Sequence, residues 1–339
     1  MYDLRDFDIM FADPVRTRAY LDAIACAVRP GDVVVEIGTG TGYFAVAAAR
    51  AGARKVYAIE LGAVAEVARE VVAANGCAAI VDVLHGDAAD IALPERGDVL
   101  LEDIRGVLPT FGRRVAVLAD ARARHLTPGA RFVARRDTLF AAPCVAPVPL
   151  AHERLADALG DAPHGIDRTP VARRLRDAWR RVRLEAGDLL AAPVEIATMD
   201  LATVTAPGVE GRAEFTVSRE ARLEGIAVWF DAELFGDVRM PNAPAAPRTL
   251  YGQALFPLTR AADVRAGDTI HFEWRAHFVA GNYVFAWNTR IVPVRGGDGV
   301  AFRQSTLAEA LLSAEAIDRR GDHGSAVGVG DRAGGGPHS

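Results

Sequence analysis

The hydrophobic pattern changes period near the middle of the chain. Val33, Val34, Val35 and Ile37 form a continuous β-branched run, as a parallel strand covered on both faces requires, and the alanine-rich stretch Phe44 to Arg50 is helical. A second strand ends at Glu60. Ala63 to Asn75 is an amphipathic helix stopped by Asn75-Gly76, and Ala79 to Leu84 is a third strand. Asp98 to Leu101 and Ala130 to Phe140 supply the fourth and fifth strands, on either side of a helix from Val115 to His125. Strands alternating with helices in this way predict an α/β unit over residues 32–142.

Residues 1–31 read as a helical lead-in, with Asp13 as N-cap and Pro14 at the first position of a helix running through Arg16, Tyr20 and Ile24. From Val194 to Val294 the alternation is at period two, in short runs such as Ala213 to Val217, Gly225 to Phe230, Thr269 to Trp274 and Tyr283 to Asn288. Runs of this length between turn residues predict an antiparallel sheet or barrel over residues 143–294. A last helix is expected within 295–318. Residues 319–339 hold seven glycines and few apolar side chains, so disorder is expected there.

Composition narrows the function. The 339 residues suffice for two compact units, and 50% hydrophobic with 24% charged content is ordinary for a globular protein. A formal charge of -5 supplies no basic field, which disfavours a nucleic-acid partner. Cys26, Cys77 and Cys144 are widely spaced and match neither a disulfide framework nor a metal site, so buried thiols and no metal are expected. The first residues lack an apolar targeting core and no apolar run approaches ~18 residues, so a cytoplasmic, non-membrane protein is expected.

The first strand leads into Glu36-Ile37-Gly38-Thr39-Gly40-Thr41-Gly42. Those glycines let the backbone turn sharply and approach a ligand, and Glu60 at the end of the second strand is placed to accept both hydroxyls of a ribose. A dinucleotide fingerprint would need its third glycine where Tyr43 stands, which opposes an NAD-dependent oxidoreductase. The order acidic-x-G-x-G-x-G resembles the first motif of class I S-adenosylmethionine (SAM) methyltransferases. That resemblance implies SAM as cofactor, bound by Glu36, Gly38, Gly40, Gly42 and Glu60, with Asp87 or Asp90 after the third strand on the adenine.

Tyr2, Phe7, Met10, Asp13, Arg16, Thr17 and Tyr20 resemble the N-terminal helix of the protein arginine methyltransferases. In that family the arginine, here Arg16, pairs with the methionyl carboxylate, and two glutamates after the fourth strand clamp the substrate guanidinium. Glu102 lies where the first would be, next to Asp103, but no carboxylate stands at Pro109 to Arg114 where the second belongs. The family's thr-his-trp loop reads Thr249-Leu250-Tyr251, without the histidine. The resemblance implies a Rossmann-like SAM domain followed by an antiparallel β-barrel, and a homodimer in which residues 164–183 reach the second subunit; an internal helix with a solvated basic face reads equally well there. Arg105, Arg113 and Arg114 offer an electropositive entrance as one reading, and a solvated helix face is the better reading of Arg113 and Arg114. Glu102, with Asp103, is expected to orient or deprotonate the acceptor. The expected activity is methylation of a guanidino or amino nitrogen on a small molecule or peptide. O-methylation of a hydroxyl or carboxylate, favoured by the missing glutamate, and a catalytically silent SAM-binding subunit are the other readings.

Overall fold

The computed structural model describes residues 3–145 and 163–307. Two helices lead in: α1 (Leu4–Ala12), which Asp3 starts through a capping box with Asp6, and α2 (Pro14–Ala27). Asp13 both ends α1 and caps α2, where its carboxylate accepts the Val15 and Arg16 N–H groups at 3.0 Å. The chain then alternates β1 (Val33–Ile37), α3 (Tyr43–Arg50), β2 (Lys55–Glu60), α4 (Ala65–Ala74), β3 (Val81–His85), β4 (Gly97–Glu102), α5 (Arg114–Arg124) and β5 (Leu126–Val133).

These five strands form one parallel sheet in the order β3-β2-β1-β4-β5. Every residue of β1 is buried, which is what a β-branched central strand between two helical layers satisfies. The order reverses between β1 and β4, where Ile37 pairs with Glu102. A crevice at the carboxyl ends of these two strands is where open α/β sheets take their ligands.

The stretch expected as one fifth strand to Phe140 is two strands. β5 stays in the parallel sheet, whereas β6 (Arg136–Cys144) pairs antiparallel with β10 (Ala221–Phe235) and β8 (Val194–Asp200). Ala130 to Phe140 reads in sequence as one run, and the partner strands divide it. The second unit thus begins at Arg136, ahead of the boundary expected at 142–143. Its first sheet runs β7 (Arg180–Val182), β12 (Gln253–Val264), β10, β6, β8, with β11 (Val238–Pro241) also on β10. Its second runs β15 (Val300–Ser305), β14 (Asn282–Val292), β13 (Thr269–Val279), β9 (Val209–Thr216).

The expected barrel is therefore two antiparallel sheets, and among the described residues their hydrogen-bond ladders do not close. Aromatic side chains fill the space between them. Phe256 meets Trp287 at 5.3 Å and Phe285 at 5.7 Å between ring centroids, and Trp287 Nε1 donates to the Pro257 carbonyl at 3.1 Å. Val300–Ser305 is a strand added to β14, and residues 308–339, which include most of the helix expected within 295–318 and the expected tail, lie outside the described residues. The expected helical segment 164–183 holds only the helix Thr169–Leu175, and its end is the edge strand β7. Cys77 and Cys144 are buried as expected of thiols, but Cys26 is exposed.

Candidate active site at the carboxyl edge of the parallel sheet

Three left-handed glycines shape the loop between β1 and α3: Gly38 (φ 76°), Gly40 (φ 58°) and Gly42 (φ 80°). At Gly40 the demand is double, since a Cβ there would lie 2.8 Å from the Phe7 ring of α1. Across the loop, Glu60 accepts the Gly40 N–H at 2.8 Å on one oxygen and the Gly62 N–H at 2.7 Å on the other. Each oxygen keeps a lone pair, so the carboxylate is held rigidly and can still take two hydroxyls. Glu36 is buried and accepts the Thr39 hydroxyl at 2.7 Å. Burial, reinforced by the nearby Glu60 charge and opposed by Thr39, pushes its carboxyl up to about 7.

Arg16 projects from α2 over the rings of Tyr20 (5.5 Å) and Phe44 (5.0 Å). Its Nε donates to Asp103 at 2.6 Å and to the Tyr251 hydroxyl at 3.3 Å, and its Nη1 to the Met10 carbonyl at 3.2 Å. Nη2 has no hydrogen-bond partner among the described residues, so one edge of the guanidinium can still meet a carboxylate. Asp87, after β3, accepts its own turn's Ala89 N–H at 2.9 Å and Arg113 at 3.2 Å. The loop glycines, Glu60 and, through its pair with Asp103, Arg16 all lie at the carboxyl ends of the parallel strands.

The carboxylates expected to do chemistry are occupied. Glu102 receives a two-pronged ion pair from Arg114, Nη2 to Oε1 at 2.6 Å and Nε to Oε2 at 3.1 Å, and Oε2 also accepts the Ile104 N–H at 2.9 Å. Asp103 accepts from Arg16, from Arg105 Nη1 at 2.7 Å, from Tyr251 at 2.7 Å and from Tyr20 at 2.9 Å. Burial works against its charge, but Arg16 and Arg105 outweigh it and hold the carboxyl down at about 2. Asp137, on β6, closes the cluster by accepting Arg105 Nη2 at 3.0 Å and Arg114 Nη1 at 2.6 Å. Both lone pairs of each Asp103 oxygen are taken, and Glu102 keeps a single one, on Oε1, so neither stands as the unpaired carboxylate that the expected orienting base requires.

Arg114, expected as a solvated helix charge, is 1% exposed, and Arg105 is 4% exposed. Asp137 was not singled out in the sequence, and neither Arg105 nor Arg114 was expected to be buried in ion pairs. Their one visible signal is charge inside segments of strand and helix pattern. The partners come from positions 12 to 32 residues apart, which periodicity does not connect.

A parallel sheet with this glycine loop and a carboxylate closing β2 defines a class I methyltransferase-type domain. Comparison with known proteins agrees: a family model described as ribosomal protein L11 methyltransferase (PrmA) matches residues 15–129, and one described as the arginine methyltransferase oligomerization subdomain matches residues 168–282. Probable protein arginine N-methyltransferase 6 of Arabidopsis thaliana is 31% identical over 241 residues, covering 68% of this chain and 55% of its own. Probable protein arginine N-methyltransferase 6.2 of Oryza sativa subsp. indica is 30% identical over 254 residues, covering 72% and 63%. This chain therefore spans only 55% and 63% of the length of those two relatives. Among solved structures, Arabidopsis thaliana protein arginine methyltransferase 10 superposes with a TM-score of 0.79 at 24% identity, over 89% of this chain and 97% of its own. The Trypanosoma brucei PRMT1 enzyme-prozyme complex with AdoHcy gives 0.79 at 20%, over 88% and 97%. These last two are likenesses of fold. The chain is thus a class I methyltransferase-type protein that resembles the protein arginine methyltransferases in sequence and fold.

Proposed function

We propose that the chain is a SAM-dependent methyltransferase that binds SAM at the carboxyl edge of the parallel sheet. The observation that carries this reading is the left-handed Gly38, Gly40, Gly42 loop facing the Glu60 carboxylate. In it, Glu60 holds the ribose hydroxyls, Arg16 Nη2 the methionyl carboxylate, and Gly38 to Gly42 allow close backbone approach. Glu36 and Asp87 complete the cofactor shell. Bound SAM supplies an electrophilic methyl group. Calorimetry tests the reading: SAM and S-adenosylhomocysteine bind at micromolar concentrations and NAD does not, and tight NAD binding without a response to S-adenosylhomocysteine would sink it.

The acceptor is a small molecule or peptide taken between the two units, next to the β4 end. A second reading, a SAM-binding subunit that transfers no methyl, is favoured by the internal pairing of Glu102 with Arg114. Radiolabelled SAM and a broad acceptor panel separate the two. A homodimer accompanies either reading, supported by the oligomerization description matched at 168–282 and by the exposed apolar residues Ile166, Val171 and Leu175.

A further inference from the structure

The chain between β11 and β12 carries a side chain of the second unit into the first. Thr249 Oγ1 donates to the Asn242 side-chain oxygen at 2.6 Å, Asn242 Nδ2 to the Gly252 carbonyl at 2.6 Å, and Arg183 Nη1 to the Thr249 carbonyl at 2.7 Å. Gly252 has φ 66°, and a Cβ on it would lie 2.6 Å from the Val182 carbonyl oxygen, so the loop rests directly against β7. Two consecutive residues of this held loop reach the first unit. The Leu250 N–H donates to Asp13, the cap of α2, at 2.6 Å. Tyr251, 4% exposed and edge-on to the Phe230 ring at 5.2 Å, donates its hydroxyl to Asp103 Oδ2 at 2.7 Å and accepts Arg16 Nε at 3.3 Å.

Arg16 Nε also donates to Asp103 Oδ2, at 2.6 Å, so that oxygen is shared between Arg16 and Tyr251. Tyr20 at 2.9 Å and Arg105 at 2.7 Å fill the other oxygen. The neighbouring pair shows what an arginine does without such a competitor: Arg114 closes on Glu102 side-on, with Nε and Nη2 together. Removing the Tyr251 hydroxyl would leave an acceptor site of Asp103 unmet where its side chain is only 8% exposed. Arg16 Nη2, on the same edge as Nε, is the donor able to fill it.

We propose that Tyr251 is a positioning residue for cofactor binding: by occupying Asp103 Oδ2 it stops Arg16 from closing on Asp103 and keeps Nη2 available to the carboxylate of the cofactor's amino-acid end. The inference rests on the SAM-binding reading above and assigns a residue of the second unit to that site. Recognition of the amino-acid end thereby depends on the second unit. Recognition of the nucleoside end does not, since Glu60 is held by the Gly40 and Gly62 N–H groups of the first unit.

Calorimetry on the full chain compares S-adenosylhomocysteine with 5′-methylthioadenosine, which keeps the nucleoside and lacks the amino-acid end. A wild type that binds neither removes the SAM reading and this inference with it. A wild type that binds S-adenosylhomocysteine no more tightly than 5′-methylthioadenosine leaves the SAM reading standing and overturns the inference, because the amino-acid end is then not being held. Otherwise Tyr251→Phe, which removes the hydroxyl and keeps the ring, should bind S-adenosylhomocysteine ~5-fold or more weakly, with 5′-methylthioadenosine changed by less than ~2-fold. Equal losses on the two ligands, as a purely structural role gives, overturn the inference, and so does no loss on either. In an Arg16→Ala background, adding Tyr251→Phe should cost less than ~2-fold on S-adenosylhomocysteine, and a full ~5-fold loss there overturns the route through Arg16. If Tyr251→Phe does not fold, Thr249→Val is measured with the same two ligands, since it loosens the loop ahead of Tyr251 and leaves Asp103 and Arg16 intact. Selective weakening of S-adenosylhomocysteine then supports the inference, and any other pattern overturns it.

Discussion

At the scale of single residues, the same residue type has opposite roles at the ends of two strands of one sheet. Glu60 is anchored by two backbone N–H groups and keeps acceptor capacity, so Glu60→Ala should weaken S-adenosylhomocysteine binding by roughly 1–3 kcal/mol in calorimetry with little change in melting temperature. Glu102 is spent on Arg114. Replacing it with Gln leaves a buried guanidinium short of its counter-charge, and chemical denaturation should show a loss of about 3 kcal/mol, well beyond an exposed pair. Glu36 shows a third behaviour. Its carboxyl is raised from 4.5 to about 7 in the folded protein, so its contribution to stability is fully present below 4.5 and is lost as pH rises through about 7. Melting temperature measured from pH 4 to 8 should therefore fall less steeply in Glu36→Gln than in wild type; parallel curves would show that Glu36 is not the titrating group.

At the scale of elements, the entry helices are fastened at a single side chain. Asp13 caps α2 with one oxygen and accepts the Leu250 N–H of the second unit at 2.6 Å with the other. Asp13→Ala loses a cap and a long-range hydrogen bond together, for about 2 kcal/mol in denaturation. Because α2 carries Arg16, cofactor affinity should fall in the same variant, whereas a purely local cap would leave it unchanged. The sequence made Asp13-Pro14 legible as a helix start, since capping is local chemistry. It did not make the Leu250 contact legible, because that pairing spans 237 positions.

At the scale of the whole molecule, the described part of the segment from 164 to 183 ends on β7 at the edge of the six-stranded sheet, leaving Ile166, Val171 and Leu175 exposed ahead of it. The assembly proposed above would use Val171 and Leu175 on this short helix, with Ile166 ahead of it, as the surface for a second copy. Sedimentation of wild type at tens of micromolar should give a dimer, and the pair Val171→Glu with Leu175→Glu a monomer of unchanged fold; a monomeric wild type would remove the assembly proposal.

The sequence by itself determined what depends on neighbours in the chain. Continuous β-branched strands, the glycine order before α3, the carboxylate closing β2 and the period-two runs after Val194 are local, and each is present in the fold. The tertiary structure alone decided where the strand run from Ala130 to Phe140 divides, that the antiparallel sheets do not close among the described residues, and that Val300–Ser305 joins β14. It also decided the state of Glu102. A carboxylate at a strand end looks available in sequence, and only the approach of Arg114 from α5 and Asp137 from β6 showed it enclosed. Charge compensation in a buried site is set by distance through space, and residue spacing along the chain does not encode it.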